Sequence, residues 1–102
     1  MTFKLVPDAT FPATVQIPNG DAPLPLKVIF KRKSKDELTE FSTRVVGLND
    51  MELCTEILSG WEDVDEGYSR DALEKMLKAY SGAALAIYLR YLDSHVRAER
   101  KN

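Results

Sequence analysis

Few side chains in this sequence are of the types that carry out covalent chemistry. It has one cysteine, Cys54, and one histidine, His95. A nucleophilic pair of the two would need close approach and a third group to orient the imidazole. Cys54 falls on the apolar stripe of a predicted helix, where a buried structural thiol is far commoner than a nucleophile. One Cys and one His cannot build a zinc site either, so we expect a protein without catalysis, metal or cofactor.

The acidic segment, residues 62–66, invites a calcium interpretation. With Asp63 as the first position of an EF-hand loop, Asp65 takes the third position and Glu74 the twelfth. Tyr68 then occupies the sixth position, where the sharp turn of such a loop requires glycine. The spacing therefore predicts an exposed acidic loop between two helices.

The basic run Lys31-Arg32-Lys33-Ser34-Lys35 has two interpretations. It could meet a phosphate backbone or an acidic protein surface, or it could be a solvated strand end that leads into a helix. The net charge of −2 argues against electrostatic binding of nucleic acid, and no aromatic side chains alternate with the basic ones. We therefore expect no nucleic-acid partner, although a protein contact stays open.

The elements that position these side chains begin with an extended region. All five prolines lie within the first 25 residues, and proline interrupts helices. Residues 14–17 and 26–31 have the alternation and the β-branched content of strands, and Asn19-Gly20 between them suits a turn. We predict two antiparallel strands that must pack on something apolar, since such a ribbon is marginal alone.

Polar caps predict where the helices begin. Ser34 opens a Ser-x-x-Glu capping box, and Asn49 and Ser69 are further N-caps. Gly60 fits the C-terminal cap of the second helix, and a fourth helix is predicted from about residue 83 to residue 96 or beyond. Apolar residues recur at helical spacing after each cap.

The resulting prediction is one α+β domain over residues 1–102, mostly α. An N-terminal two-stranded antiparallel β-ribbon occupies residues 1–33, and three to four helices occupy residues 34–102. The length of 102 residues allows one domain. The longest apolar stretch, residues 83–89, is too short for a membrane span, and the first seven residues lack the apolar core of a signal peptide. We expect a cytoplasmic protein with no membrane partner.

The fourth predicted helix carries more apolar surface than a small core needs. Its side chains form two neighbouring stripes: Leu85, Tyr88 or Leu89, Leu92 and Val96 in one, and Ala84, Ile87, Tyr91 and His95 in the other. The surplus could contact another protomer or a partner helix, or the helix could be packed on several sides. The protein-binding candidates chosen from these observations and from the charged segments are Trp61, Ile87, Tyr88, Tyr91, Lys31, Arg32, Lys33, Asp63 and Asp65. Trp61 has the alternative of simply closing the core.

The order of several short motifs resembles one known family, the tail assembly chaperones of long-tailed bacteriophages of the siphophage type. At the start of the chain these are Leu5-Val6-Pro7-Asp8-Ala9-Thr10-Phe11, Ala13-Thr14-Val15, Pro18-x-Gly20 and Phe30-Lys31-Arg32-Lys33. Further along they are Ile57-Leu58-Ser59-Gly60-Trp61, Val64, Gly67 and the helix Leu73 to Tyr80. Ser81 departs from the pattern, which has proline after the tyrosine.

The resemblance implies a chaperone without catalysis in the host cytoplasm, absent from the mature virion. Such proteins bind the tape measure protein, prevent its aggregation and promote tail tube assembly, in many relatives through a longer frameshift product that contacts the tail tube protein. The resemblance also implies self-association into an open or spiral head-to-tail oligomer, which needs two different patches. We expect the basic run and the acidic segment to face each other there. The alternatives are a small protein-binding adaptor or regulator and, on the basic run, a nucleic-acid-binding module.

Overall fold

The structure, a computed structural model, describes residues 2–96. It is an α+β fold in which helices pack on one antiparallel sheet. The elements in chain order are β1 (Thr10–Ile17), β2 (Leu24–Lys31), α1 (Lys35–Arg44), a 3₁₀ turn (Val45–Gly47), α2 (Asp50–Ile57), β3 (Leu58–Glu62), α3 (Arg70–Ala79) and α4 (Ala83–Val96). The α+β class and the helices after the first two strands agree with the sequence-based prediction.

The β1–β2 hairpin is the predicted ribbon. Its register runs from Thr10 opposite Lys31 to Ile17 opposite Leu24, and Gly20 in the turn has a φ of +61°. A positive φ is available to glycine without steric cost, which is why the Asn-Gly pair marked this turn. Alternate β1 side chains point to the helices, so Val15 and Ile17 are buried while Gln16 between them is exposed.

The two-stranded prediction is wrong in its count, because the sheet has a third strand. β3 pairs antiparallel with the free edge of β2, from Lys27 opposite Glu62 to Phe30 opposite Leu58, and the strand order is β1-β2-β3. Gly60 therefore lies inside a strand and does not cap α2. The sequence did not predict β3 because this five-residue segment has little strand preference of its own. It becomes a strand because the edge of β2 supplies the backbone hydrogen-bond partners.

The helix starts follow the predicted caps closely. Ser34 Oγ accepts a hydrogen bond from the Glu37 N–H at 3.2 Å, and a Glu37 carboxylate oxygen accepts one from the Ser34 N–H at 2.8 Å. Asn49 and Glu52 form the same reciprocal pair at 2.8 and 3.0 Å. Since each box satisfies two of the backbone N–H groups that a helix start leaves unpaired, these boundaries depend on local sequence.

Tyr91 lies at the centre of the core and is fully buried. Its ring is 5.0 Å from that of Phe30 on β2 and 6.2 Å from that of Phe41 on α1, in both cases edge to face. Its hydroxyl donates a hydrogen bond of 2.7 Å to the carbonyl of Lys31. One α4 side chain thus holds together the sheet and α1.

Replacing Tyr91 with phenylalanine tests the hydroxyl in this packing. The ring contacts stay, but the Lys31 carbonyl loses its donor, so we expect a loss of about 1 kcal/mol, or roughly 4–8 °C in Tm. Tyr88→Phe is the matched control, since the Tyr88 side chain is only half-buried, and we expect its Tm to stay within about 2 °C of wild type. Equal Tm values for the two variants, measured by circular dichroism, would contradict the assignment.

Candidate functional site

The two apolar stripes of α4 face opposite ways. Ala84, Ile87 and Tyr91 are buried in the core. Ile87 and Tyr91, chosen from the sequence as protein-binding residues, therefore contribute nothing to the surface of this chain. They pack inward because a period of 3.6 residues places them on the side of α4 that covers β1 and α2.

The other stripe remains open to solvent, and we call it the α4 outer face. It consists of Leu85, Leu89 and Val96, whose exposed fractions are 62%, 54% and 70%. At about 100° per residue the three side chains lie within roughly 40° of one another around the helix axis. Tyr88, also chosen from the sequence, is half-buried beside this face. Within residues 2–96, α4 thus serves both the core and the surface.

The basic run is used largely inside the molecule. Arg32 donates a hydrogen bond of 2.8 Å to the Asp8 carbonyl and lies 4.9 Å from the centre of the Phe11 ring. The Lys31 ammonium group reaches the Thr55 carbonyl at 3.3 Å. The Arg32 contacts fasten the segment before β1, and the start of that strand, to the end of β2, and the Lys31 contact joins the end of β2 to α2. The basic side chains are therefore structural as well as charged.

Lys33 belongs to a partly buried ion-pair network. Its ammonium group is 3.0 Å from a Glu56 carboxylate oxygen on α2, and Arg44 on α1 binds the same carboxylate at 2.7 Å. Arg44 also pairs with Glu40 one turn earlier. Hydrogen bonds from Arg44 and Lys33 lower the pKa of Glu56 to about 2. The network joins the end of β2 to α1 and α2.

The acidic side chains are exposed, as the sequence predicts, but the loop does not join two helices: it connects β3, which ends at Glu62, to α3. Asp63 adopts a φ of +56° where β3 ends, and its carboxylate is 2.8 Å from the Lys27 ammonium group on β2. Glu66 pairs with Lys75 on α3 at 2.9 Å. Asp65 is exposed and makes no ion pair within residues 2–96. Of the two aspartates chosen from the sequence, Asp63 has a structural role and Asp65 is available for a partner.

Trp61 closes one side of a groove. Its indole N–H donates to the Glu66 carbonyl at 2.9 Å, and its ring meets Tyr68 edge to face at 5.1 Å. The groove has a volume of about 470 Å³ and lies between the hairpin end of the sheet, the acidic segment and α3. Its larger apolar lining residues include Ile17, Leu24, Leu26, Trp61, Val64, Met76 and Tyr80, and Asp63, Asp65 and Glu66 add acidic groups.

The basic run and the acidic segment lie at opposite ends of the sheet. Lys31 ends β2 opposite Thr10. Glu62, which precedes the rest of the acidic segment, is opposite Lys27 and leads toward the hairpin end. The structure thus separates the two oppositely charged patches rather than pairing them within one chain.

The residues weighed for covalent chemistry are placed for packing. Cys54 is fully buried, and burial raises the pKa of its thiol to about 12, so a thiolate forms only with difficulty. One His95 ring nitrogen lies 2.9 Å from the Tyr91 carbonyl and the other 3.4 Å from the Lys33 N–H. Within residues 2–96, no three His, Cys, Asp or Glu side chains gather as metal ligands. The same part of the chain has no helix that is both long and apolar enough to cross a membrane.

Sequence reasoning missed two features that the structure exposes. Phe3, Leu5 and Val6 are large apolar side chains that lie almost entirely in solvent, and the groove is formed by segments distant in the chain. The sequence did contain a sign of the exposed apolar residues, because Phe3, Leu5 and Val6 precede Pro7 and lie outside any predicted strand. No local sequence pattern predicts the groove, because its lining residues come from segments that are distant in the chain.

Comparison with known proteins gives one match over the entire chain. The model of a family described as phage tail assembly chaperone matches residues 1–102. No curated protein and no solved structure gives a significant match.

Substituting Glu56 with glutamine tests the ion-pair network through pH. Because the folded state lowers the pKa of Glu56, the ionised group stabilises the fold above its ordinary pKa, and this stabilisation is lost as the pH falls toward 2. We expect Glu56→Gln to cost about 1 kcal/mol at pH 7, discounted for solvent screening, and almost nothing near pH 2. Urea unfolding at several pH values measures this, with Glu74→Gln as the exposed control. A cost independent of pH would contradict the prediction.

Proposed function

The chain belongs to the phage tail assembly chaperone family, and from this premise we propose that it binds the tape measure protein, prevents its aggregation and promotes tail tube assembly without catalysis. The family implies a tail protein as partner. The host cytoplasm is the proposed compartment, since tail assembly takes place there before the virion is complete.

The observation that carries this proposal is the α4 outer face. Leu85, Leu89 and Val96 form an apolar stripe along more than three turns of one helix. Such a stripe suits an amphipathic helix of a partner, which would bury its own apolar residues against it. Covering each leucine contributes about 1–1.5 kcal/mol, since roughly half of its surface is still open.

Two further contacts belong to the proposal. Self-association in an open head-to-tail oligomer is supported by the charged patches at opposite ends of the sheet, because an open assembly joins two different surfaces. Contact with the tail tube protein, which in many relatives uses a longer frameshift product, completes the role. Neither contact uses the α4 outer face, so the client can be bound while the oligomer forms.

Co-expression with the tape measure protein of the same phage tests the proposal. We expect the double variant Leu85→Gln/Leu89→Gln to recover at least tenfold less soluble tape measure protein, because about 2–3 kcal/mol of contact is lost. Both positions are exposed, so the Tm stays within a few degrees of wild type.

Val46→Gln is the matched control. Val46 is 92% exposed and lies outside α4, so the loss of an exposed apolar side chain at that position leaves capture unchanged. Wild-type capture by the double variant would overturn the assignment of α4, and insoluble tape measure protein with the wild-type chaperone would overturn the function.

A further inference from the structure

The first residues of the described chain form an exposed apolar segment, which we call the arm (residues 2–8). Phe3, Leu5 and Val6 are 86%, 90% and 83% exposed. Within residues 2–96, Lys4 forms its one ion pair with Asp8, at 3.2 Å, and both side chains are mostly in solvent. An exposed pair of this kind contributes little and exchanges readily for another. The arm thus presents three large apolar side chains and one readily available cation.

The base of the arm is fixed at one end of the sheet. The Arg32 backbone N–H donates to the Ala9 carbonyl at 2.8 Å, and its guanidinium group donates to the Asp8 carbonyl at 2.8 Å. β1 begins at Thr10, opposite Lys31. The arm therefore leaves the fold at the end where the basic run lies.

The groove lies at the other end and has matching chemistry. Its floor is apolar, with Ile17, Met76 and Tyr80 among the lining residues, and its edge is acidic. Among the residues that the structure describes, three carboxylates line it. Glu66 is paired with Lys75 and Asp63 with Lys27, so Asp65 is the carboxylate open to a further cation. A volume of about 470 Å³ is within the range that holds a small ligand or a few side chains. The groove fits an extended apolar segment that carries a positive charge.

The arm does not fill the groove of its own chain in this structure. Phe3, Leu5 and Val6 are each more than 80% exposed, and the arm leaves the fold at the end of the sheet opposite to Ile17 and Leu24 of the groove lining. An arm and a groove held at opposite ends of one chain can meet when two copies align end to end.

We infer that the arm of one copy of this chain docks in the groove of the next copy, with Phe3, Leu5 and Val6 on the apolar floor and Lys4 beside Asp65. Because arm and groove are different surfaces at opposite ends of the sheet, the contact is heterologous and extends into an open chain. This inference rests on the head-to-tail self-association proposed above and names the surfaces that form it.

Light scattering across a hundredfold range of concentration tests the contact. We expect the wild type to gain mass with concentration and Leu5→Ser/Val6→Ser to need at least tenfold more protein for the same mass. Lys4→Glu and Asp65→Lys each weaken association about fivefold, and Lys4→Glu/Asp65→Lys returns it to within about twofold of wild type. Asp21→Lys, an exposed reversal at the same end of the sheet but outside the groove lining, leaves association unchanged.

Mixing two variants reports the direction of the contact. Leu5→Ser/Val6→Ser has an intact groove, and Asp65→Lys has an intact arm. At a concentration at which neither variant alone gains mass, their equimolar mixture is expected to form dimers and to grow no further, because only one full-strength contact exists between them. Growth of the mixture into longer chains would overturn the heterologous contact.

Trp61 gives a second readout, since it is the only tryptophan and lines the groove. A synthetic peptide of residues 2–8 is expected to shift the Trp61 emission of Leu5→Ser/Val6→Ser in a saturable way, and at least fivefold more weakly in the same protein carrying Asp65→Lys. Oligomers that grow normally in the arm variant, with Trp61 emission unmoved by the peptide, would overturn this inference while leaving the proposed function standing. The Leu85→Gln/Leu89→Gln capture experiment judges that function separately.

Discussion

The burial of Tyr91 between the sheet and α1 is the interaction on which the rest of this structure depends. Its ring meets Phe30 and Phe41, and its hydroxyl binds the carbonyl at the end of β2. Once this side chain is fixed, the rotation of α4 about its own axis is fixed as well. The stripe that includes Ile87 then faces the core, and the stripe of Leu85 and Leu89 must face solvent. The surface offered to a partner is a geometric consequence of the packing beneath it.

The charged segments have a divided role. Arg32 and Lys33 hold the start of the chain and two helices to the sheet, and Asp63 ties the acidic segment to β2. The feature left for a partner to recognise is that the basic run and the acidic segment lie at opposite ends of the sheet. Long-range attraction between such ends steers and orients association more than it strengthens it. In the self-association that we propose, apolar contact must supply most of the affinity, and the arm and the groove provide it at the same two ends of the sheet.

A chaperone that must later release its client benefits from surfaces that work independently. The α4 outer face takes the client in our proposal, and the ends of the sheet take neighbouring copies. Assembly along the client then raises the effective concentration of chaperone for each following contact, so modest individual affinities suffice. In the same proposal, weak and repeated contacts of this kind are easily displaced by the tail tube protein.

Sequence alone determined the features that depend on neighbours in the chain. The capping boxes at Ser34 and Asn49 and the Asn-Gly turn of the hairpin were predicted because each is satisfied within a few residues. The motif order also indicated the family. The tertiary structure alone decided three matters: that residues 58–62 add a strand to β2, which α4 stripe is buried, and that the hairpin end and α3 enclose a groove. In each case the residues that make the contact are distant in sequence. The stabilising free energy comes from β-sheet hydrogen bonds or from core packing that exist only when the whole chain is folded.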